Sequence, residues 1–282
     1  MAALPIASLP LACPVRGCHQ PLQRHDRSLA CPRGHTYDIA RSGYINLLQP
    51  QDRKSLDAGD SREAVEARAA LIADGVGRGV IDAVIARASA VDGLPATPVV
   101  VDLGSGSGET LGLFAEQRAI AGIGIDLSTA AAAHAARRFR SLTWVVANAD
   151  RRLPLLDGQV ALVLSVHARR NPAECRRVLT PNGRLIVAIP AADDLIELRE
   201  LVQGDAVSRD RTTQLVAEHE AHFELVDRSV TRGQHMLEGE ALRNLLRGTY
   251  RGERFSTSSR VAALDRLVVT LASDILVLAP RA

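Results

Sequence analysis

The sequence has few aromatic residues, almost no lysine and no long apolar run. Only 3% of its 282 residues are Phe, Trp or Tyr, so a buried core must be built mainly from Ala, Val, Leu and Ile. The apolar fraction of 46% is ordinary for a globular chain and suffices for a sizeable core. No stretch of roughly 18 apolar residues occurs, so we expect no membrane partner. The first residues lack the basic start of a secretory signal, and we therefore expect a cytoplasmic protein.

Arginine carries nearly all of the positive charge, since Lys54 is the only lysine. The formal net charge of +2 is too small to predict a nucleic-acid partner by itself. Any surface that binds nucleic acid must therefore come from local clustering. Guanidinium groups suit phosphate recognition, but a GC-rich genome gives the same arginine bias, so the bias alone decides nothing.

Four side chains near the start have the spacing of a metal site. They are Cys13, Cys18, Cys31 and His35, in the pattern C-x4-C-x12-C-x3-H. Thiolate and imidazole ligands in two turns that contain Pro and Gly predict a tetrahedral, structural Zn²⁺ site with no open position for catalysis. His19 is an alternative ligand, although we expect a polar loop residue there, and Cys175 is expected in the core.

Strand-like and helix-like segments alternate after residue 98. Runs of β-branched and apolar residues predict strands at 99–103, 122–126, 143–147, 160–167, 184–189, 223–230 and 265–279. Helices are predicted from an N-cap at Asp60 through Ile72, and at 79–88, 109–118, 129–139, 172–179, 193–202 and 239–246. Thr180–Gly183 is predicted to be a turn. This alternation predicts an α/β fold with a doubly wound, largely parallel sheet.

The first of these strands leads into a glycine-rich turn. Gly104, Gly106 and Gly108 follow Asp102 and open a helix, where backbone N–H groups can approach a ligand closely. Asp126, at the end of the second strand, can accept hydrogen bonds from both hydroxyls of a ribose. The spacing Gly-x-Gly-x-Gly after Val-Asp-Leu differs from the Gly-x-Gly-x-x-Gly of NAD enzymes. It resembles the first motif of the class I methyltransferases that depend on S-adenosylmethionine (SAM).

That resemblance implies a Rossmann-like, doubly wound SAM methyltransferase domain preceded by a small zinc-binding domain. Its cofactor residues would be Asp102, Gly104, Ser105, Gly106, Gly108, Asp126, Leu127, Asn148, Ala149 and Asp150. We divide the chain into a zinc-binding module (1–50), a linker and helical segment (51–98) and the methyltransferase domain (99–282).

The segment between the two signatures is more specific. It reads TYDIARSGYINLL over Thr36–Leu48, followed by Gly59-Asp60-Ser61-x-Glu63 and Ala67-Arg68. Together with the zinc array it resembles the 23S ribosomal RNA guanine-N1-methyltransferases, the RlmA and TlrB group. The resemblance implies methyl transfer from SAM to N1 of a guanine in hairpin 35 of 23S rRNA, with the zinc module recognising the RNA. It also implies a possible homodimer and, in actinobacterial members, a link to macrolide resistance.

Two polar residues at strand ends are candidate catalytic groups. Guanine N1 carries a proton in the neutral base, and His167 or Asp194 could accept it, although either can be an ordinary polar residue. The target base would have to be extruded onto a stacking surface. The scarce aromatic candidates for that surface are Tyr37, Tyr44 and Tyr250, while Trp144 is expected in the core or beside the cofactor.

Basic residues cluster in and just after the zinc module. We predict RNA contacts by Arg24, Arg27, Arg33, Arg41, Arg53 and Lys54, each of which can equally be a solvated charge. Three segments that would face the target depart from the family pattern. Asp194 stands where the family has His, Ser165–Arg170 replaces a Tyr-Ala-Pro-like segment, and Arg247–Gly252 replaces a Met-Thr-Pro or Gly-Pro-Ser motif.

Two other functions stay open at this point. One is a class I methyltransferase that acts on another RNA site or on a small molecule, with the zinc module as a lid. The other is a non-catalytic RNA-binding protein with a SAM-type fold. The complete set of acidic and glycine residues at the strand ends argues against the second.

Overall fold

The computed structural model describes residues 9–52, 59–203, 211–248 and 264–281. These ranges contain eleven strands and eight α-helices. The strands are β1 (Gln23–His25), β2 (Ser28–Ala30), β3 (Thr36–Asp38), β4 (Ile45–Asn46), β5 (Val99–Leu103), β6 (Ala121–Asp126), β7 (Thr143–Val146), β8 (Val160–Val166), β9 (Leu179–Pro190), β10 (Phe223–Glu238) and β11 (Arg266–Pro280). The helices are α1 (Arg62–Ala73), α2 (Arg78–Ser89), α3 (Glu109–Gln117), α4 (Thr129–Arg138), α5 (Pro172–Val178), α6 (Ile196–Gln203), α7 (Arg211–His219) and α8 (Gly239–Gly248).

Eight strands form the main sheet, in the order β10-β11-β9-β8-β5-β6-β7-β4. The strands from β9 to β4 run parallel, whereas β11 is antiparallel to both β9 and β10. The chain moves outward from β5 in both directions, which opens a crevice at the carboxyl ends of β5 and β8. This topology confirms the predicted doubly wound, largely parallel sheet. No helix in the described ranges is both long enough and apolar enough to cross a membrane.

The N-terminal module is attached to the edge of this sheet. Strands β1, β2 and β3 form a small antiparallel sheet of their own, but β4 pairs in parallel with β7, with Ile45 beside Val145. The Leu47 N–H continues the pairing by donating to the Val146 carbonyl at 2.9 Å. Leu11, Leu29 and Ile45 are buried in the same apolar cluster as Val145 of the sheet. The module and the sheet therefore share one core.

Helix α1 begins one residue later than the sequence predicted. Ser61, not Asp60, is its N-cap, because the Ser61 Oγ accepts the Ala64 N–H at 3.2 Å. Asp60 instead forms an ion pair with Arg68, and its carbonyl accepts the Ser128 hydroxyl at 2.7 Å. Asp60, the predicted N-cap, thus joins the start of α1 to the start of α4.

The predicted turn at Thr180–Gly183 is also wrong. These residues belong to β9, where the pairing with β8 jumps from Val160 beside Leu179 to Leu162 beside Arg184. The extra residues bulge out of the ladder without ending the strand. The sequence also did not predict β1 to β4 or α7, and it ended β10 too early.

Candidate active site and metal centre

The four predicted metal ligands converge on one point. Their ligand atoms all lie within 4.8 Å of one another, in the set Cys13, Cys18, Cys31 and His35. The Cys18 and Cys31 sulfurs are 3.8 Å apart, and the Cys31 sulfur is 3.4 Å from His35 Nδ1. Sulfur ligands of tetrahedral Zn²⁺ lie about 3.8 Å apart when each Zn–S bond is about 2.3 Å. The donors therefore fit this metal.

The surroundings of Cys31 favour the thiolate form that a metal needs, whereas burial raises the pKa of Cys13. Burial raises the pKa of Cys31, but hydrogen bonds from the backbone of His35 and Arg33 and from the side chains of Cys18 and His35 together lower it to about 6. The Tyr37 hydroxyl lies 3.3 Å from the Cys13 sulfur, so this aromatic candidate for base stacking supports the cluster instead. His19 turns away and accepts a hydrogen bond from Arg152, as expected of a loop residue. Cys175 is fully buried in the core, also as expected.

A cleft of 880 Å³ opens at the carboxyl ends of the parallel strands. Its volume lies at the upper end of the range for small-molecule sites. Most of the predicted cofactor residues line it, namely Gly104, Ser105, Gly106, Asp126, Leu127, Asn148, Ala149 and Asp150. The two catalytic candidates line the same cleft. The structure thus brings the SAM-type turn and the candidate proton acceptors together.

The glycine turn forms a cradle that a side chain would fill. Gly104 has φ 68°, and a Cβ there would lie 2.3 Å from the Ala168 Cβ. Gly106 has φ 53° with open space above it, and its N–H donates to Asp126 at 2.8 Å. The Ser105 hydroxyl is buried without a hydrogen-bond partner among the described residues. The exposed backbone at Gly104 suits the close approach of a ligand such as SAM.

The remaining predicted cofactor residues divide into ligand-facing and supporting groups. Asp150 keeps its carboxylate in the cleft wall, 3.4 Å from Arg169. The Asn148 amide is engaged with the Asp52 carbonyl at 2.9 Å and with the Asp150 N–H at 3.0 Å. Asp102 is 1% exposed beneath the turn, and burial, followed by nearby carboxyls, raises its pKa well above the usual value. Gly108 packs beside Trp144, which lies in the core.

His167 and Asp194 are held by the antiparallel strand β11. His167 follows β8 in a left-handed conformation with φ 53°, and its Nε2 lies 2.9 Å from the Ser273 hydroxyl. Asp194 follows β9, and its Oδ1 accepts the Ala272 N–H at 3.0 Å. Both side chains therefore have fixed positions in the cleft.

The two groups differ in basicity. His167 keeps an exposed face toward the cleft, yet enclosure by protein atoms and then the Arg211 cation lower its pKa to about 4. Burial raises the pKa of Asp194 to about 6, against the opposing effects of the Ala272 N–H and the cations of Arg199 and Arg211. At neutral pH both are unprotonated, and Asp194 is the stronger base of the two.

The predicted RNA-binding residues are exposed where they are described. Arg24 and Arg27 lie on the hairpin of β1 and β2, and Arg41 lies between β3 and β4. Arg33 has a structural task as well, since it donates to the Gly17 carbonyl at 2.9 Å across the metal cluster. The predicted residues Arg53, Lys54 and Tyr250 lie outside the described residues.

Known proteins match both parts of the chain. Residues 11–56 match a family model described as "RlmA, N-terminal", a zinc ribbon, and residues 100–183 match one described as a methyltransferase domain. A relative from Streptomyces fradiae, named 23S rRNA (guanine(748)-N(1))-methyltransferase, is 37% identical over 233 residues, which cover 82% of this chain and 81% of the relative. The chain belongs to the 23S rRNA guanine-N1-methyltransferase family.

Membership of this family confirms the predicted fold class and cofactors. The chain is a SAM-dependent methyltransferase with an N-terminal zinc ribbon. Another relative, from Micromonospora griseorubida, is 33% identical over 93% of this chain and 94% of its own length, and its name proposes the 23S rRNA guanine-N1 activity. The solved [4+2]-cyclase SpnF has a TM-score of 0.50 and 19% identity over 73% of this chain and 82% of its own, a likeness that shows the fold alone.

Several groups in the cleft of this methyltransferase were not predicted from the sequence. Arg199 is 7% exposed and donates to the Ala192 carbonyl, while its Nε has no partner among the described residues. Arg211 and Ser273 also line the cleft. No spacing rule identifies them, because they come from α6, α7 and β11, which meet only in the folded chain.

Proposed function

We propose that the chain transfers the methyl group of SAM to N1 of a guanine in 23S rRNA. The relatives' names supply this substrate, and one arrangement in the cleft supports it. The glycine turn and Asp126 lie at one side of the cavity, while His167 and Asp194 lie at the carboxyl ends of β8 and β9. A donor and an acceptor base can thus share a single cavity.

The chemistry needs a proton acceptor more than it needs activation of the methyl group. When bound, SAM supplies a sulfonium methyl that is already electrophilic, so the protein mainly positions the reactants. Guanine N1 must lose its proton as the new N–C bond forms and the S–C bond breaks. Asp194 takes this proton in our proposal, because it is ionised at neutral pH and more basic than His167.

His167 serves in a second role in this proposal. It is neutral at pH 7, and Ser273 fixes the direction of its ring. It can therefore offer a hydrogen bond to the target base without competing for the proton. Asp126 and Asp150 would bind the ribose and the adenine of SAM, and the backbone from Gly104 to Gly106 would face its amino acid part.

Labelling of RNA tests this function directly. Purified protein is incubated with tritiated SAM and unmodified 23S rRNA, and the product is mapped by primer extension. Methylation at N1 blocks Watson–Crick pairing, so we expect a reverse-transcriptase stop at the target guanine. A hairpin centred on nucleotide 748, the position in the S. fradiae relative's name, is the first RNA to test, with a guanine-to-adenine transcript as control. Labelled RNA that is read through without a stop, or no labelled RNA at all, would refute the proposal.

Three further expectations accompany this function and stay predictions. They are the RNA-recognition role of residues 1–50, the cytoplasmic location and the homodimer. Light scattering on the purified protein checks the last of these.

A further inference from the structure

A second groove lies beside the cleft, where the zinc ribbon meets the methyltransferase sheet. It has a volume of 230 Å³ and is lined by the turn that contains Arg16 and His19, the segment up to Asp52, and the loop after β7 that contains Arg151 and Arg152. Ala147 and Asn148 line both the groove and the cleft. The groove therefore continues from the wall of the active site.

The groove is rich in positive charge that the protein does not neutralise. Arg16 and Arg152 make no ion pair with a carboxylate anywhere in the described part of the chain. Arg151 reaches Asp52 only at 4.0 Å, and its side chain is 53% exposed. Three guanidinium groups thus face one carboxylate. Such a concentration is notable in a chain whose net charge is only +2.

These cations are held in place from both sides of the groove. Arg152 Nε donates to His19 Nδ1 at 3.1 Å, which joins the ribbon to the methyltransferase loop. The proton of a neutral His19 imidazole then lies on Nε2, a further hydrogen-bond donor. On the ribbon side, Arg33 donates to the Gly17 carbonyl and so fixes the turn next to Arg16. The donors are organised before a ligand arrives, which lowers the entropy cost of binding it.

We propose that this groove binds the phosphate backbone of the substrate RNA through Arg16, Arg151 and Arg152, beside the strand that enters the cleft. The inference rests on the proposed RNA substrate and assigns a site for it. Guanidinium groups pair with phosphate oxygens through two parallel hydrogen bonds, and the groove supplies donors without matching acceptors. The groove shares Ala147 and Asn148 with the cofactor end of the cleft, so RNA bound in the groove lies next to the active site.

The test compares two double variants that lose the same charge. Arg16→Gln with Arg151→Gln removes two groove cations but keeps the Arg152–His19 contact. Arg137→Gln with Arg140→Gln is the control, since both arginines are exposed and precede the opposite, amino end of β7. Binding of the fluorescently labelled 748 hairpin is measured by anisotropy from 50 to 200 mM salt. SAM affinity and zinc content show that each variant is folded.

We expect the salt dependence to fall only in the groove variant. Each lost phosphate contact lowers the slope of log Kd against log salt by about 0.7–0.9, so two contacts lower it by about 1.5. Raising the salt fourfold should therefore weaken RNA binding about eightfold less in the groove variant than in the wild type. Equal slopes for the groove variant, the control and the wild type would overturn the groove assignment.

Further arms separate this inference from the alternatives. A slope that falls only in the groove variant, with no methyl transfer by the wild type, would refute the proposed function and leave the groove assignment standing. Methyl transfer with equal slopes would do the reverse. Inorganic phosphate is titrated as a free anion. If the wild type binds phosphate saturably and the groove variant does not, while the two have the same salt slope for RNA, the groove is an anion site only. The groove variant could also keep the wild-type salt slope for RNA and lose methylation only on assembled ribosomal subunits. That result would assign the groove to a protein partner and overturn the proposal.

Discussion

Asp126 and Asp194 lie in the same cleft, but their surroundings give them different tasks. Both Asp126 oxygens already accept backbone N–H groups, from Gly106 and Ser128, each at 2.8 Å. These bonds hold the turn and leave one lone pair on each oxygen for a ligand's hydroxyls. Asp194 has one such bond and a pKa of about 6, so it can both keep its position and exchange a proton.

Replacing Asp194 by Asn is expected to lower kcat by roughly 10²–10³-fold, because the amide cannot accept the proton. The Asn side-chain oxygen can still accept the Ala272 N–H, so the fold and the SAM affinity should persist. The active form of the wild type is the carboxylate. Its rate should therefore fall as the pH drops through about 6, where Asp194 becomes protonated. Single-turnover methylation from pH 5 to pH 8 measures both effects.

His167→Gln is the matched control for that experiment. The pKa of His167 is about 4, so this variant should keep the inflection near pH 6 even if its rate is lower. An inflection that vanishes in His167→Gln and survives in Asp194→Asn would assign the proton acceptor to the histidine.

A methyl group at Gly104 should displace the turn that faces the cofactor and so weaken SAM binding. Gly104→Ala places a Cβ 2.3 Å from that of Ala168, at a φ of 68° that L-residues rarely adopt. We expect the Kd for SAM, measured by calorimetry, to rise at least about tenfold, which corresponds to roughly 1.4 kcal/mol. Gly158→Ala has a similar φ of 63° but open space around it, so it should lose some stability and keep its SAM affinity. Equal SAM affinities in the two variants would contradict the steric argument.

At the scale of the elements, the central strands could be predicted and the outer ones could not. Strand β5 was predicted at its observed bounds, because a strand buried on both faces is a continuous apolar run. The ribbon strands have only two or three residues and depend on a metal for their geometry, so no periodicity reveals them. After Val230, strand β10 alternates mostly between half-buried and exposed residues, which is a weak hydrophobic pattern. The sequence-based prediction therefore ended the strand at Val230, too early.

The candidate site follows the same division. Residues within a local motif, such as the glycine turn and the metal ligands, were predicted because their spacing carries the chemistry. The contact between His19 and Arg152 spans 133 positions, and the contact between His167 and Ser273 spans 106. No local pattern encodes such pairs, since they depend on the order of the strands in the sheet.

Ser128 links two helices and gives a test at this scale. Its Oγ caps α4 by accepting the Ala131 N–H at 3.1 Å and also donates to the Asp60 carbonyl before α1. Ser128→Ala should cost about 2 kcal/mol in the free energy of unfolding, about 1 for the cap and about 1 for the second bond. Ser61→Ala removes a cap and an exposed contact with Glu63, and it should cost about 1 kcal/mol. Urea unfolding measures both, and equal losses would show that the link to Asp60 contributes nothing.

At the scale of the whole molecule, the zinc ribbon and the sheet share one apolar core. Leu11, Ile45 and Leu47 are each at most 1% exposed and belong to the cluster that contains Val101 and Val145. Strand β4 extends the parallel sheet, and the Ala12 N–H donates to the Pro154 carbonyl at 2.9 Å. A change in the ribbon must therefore reach the SAM-binding sheet.

Removal of the metal is expected to destabilise the entire chain. A chelator takes away the ligand bonds that hold the ribbon, and the shared core then loses Leu11, Ile45 and Leu47 as packing partners. Calorimetry should show one unfolding transition whose Tm falls by at least about 10 °C, with full recovery on adding Zn²⁺. The variant Cys175→Ser, which alters a core cysteine outside the cluster, should retain its response to the chelator. Two separate transitions, with the upper one insensitive to the chelator, would mean that the ribbon folds independently of the methyltransferase sheet.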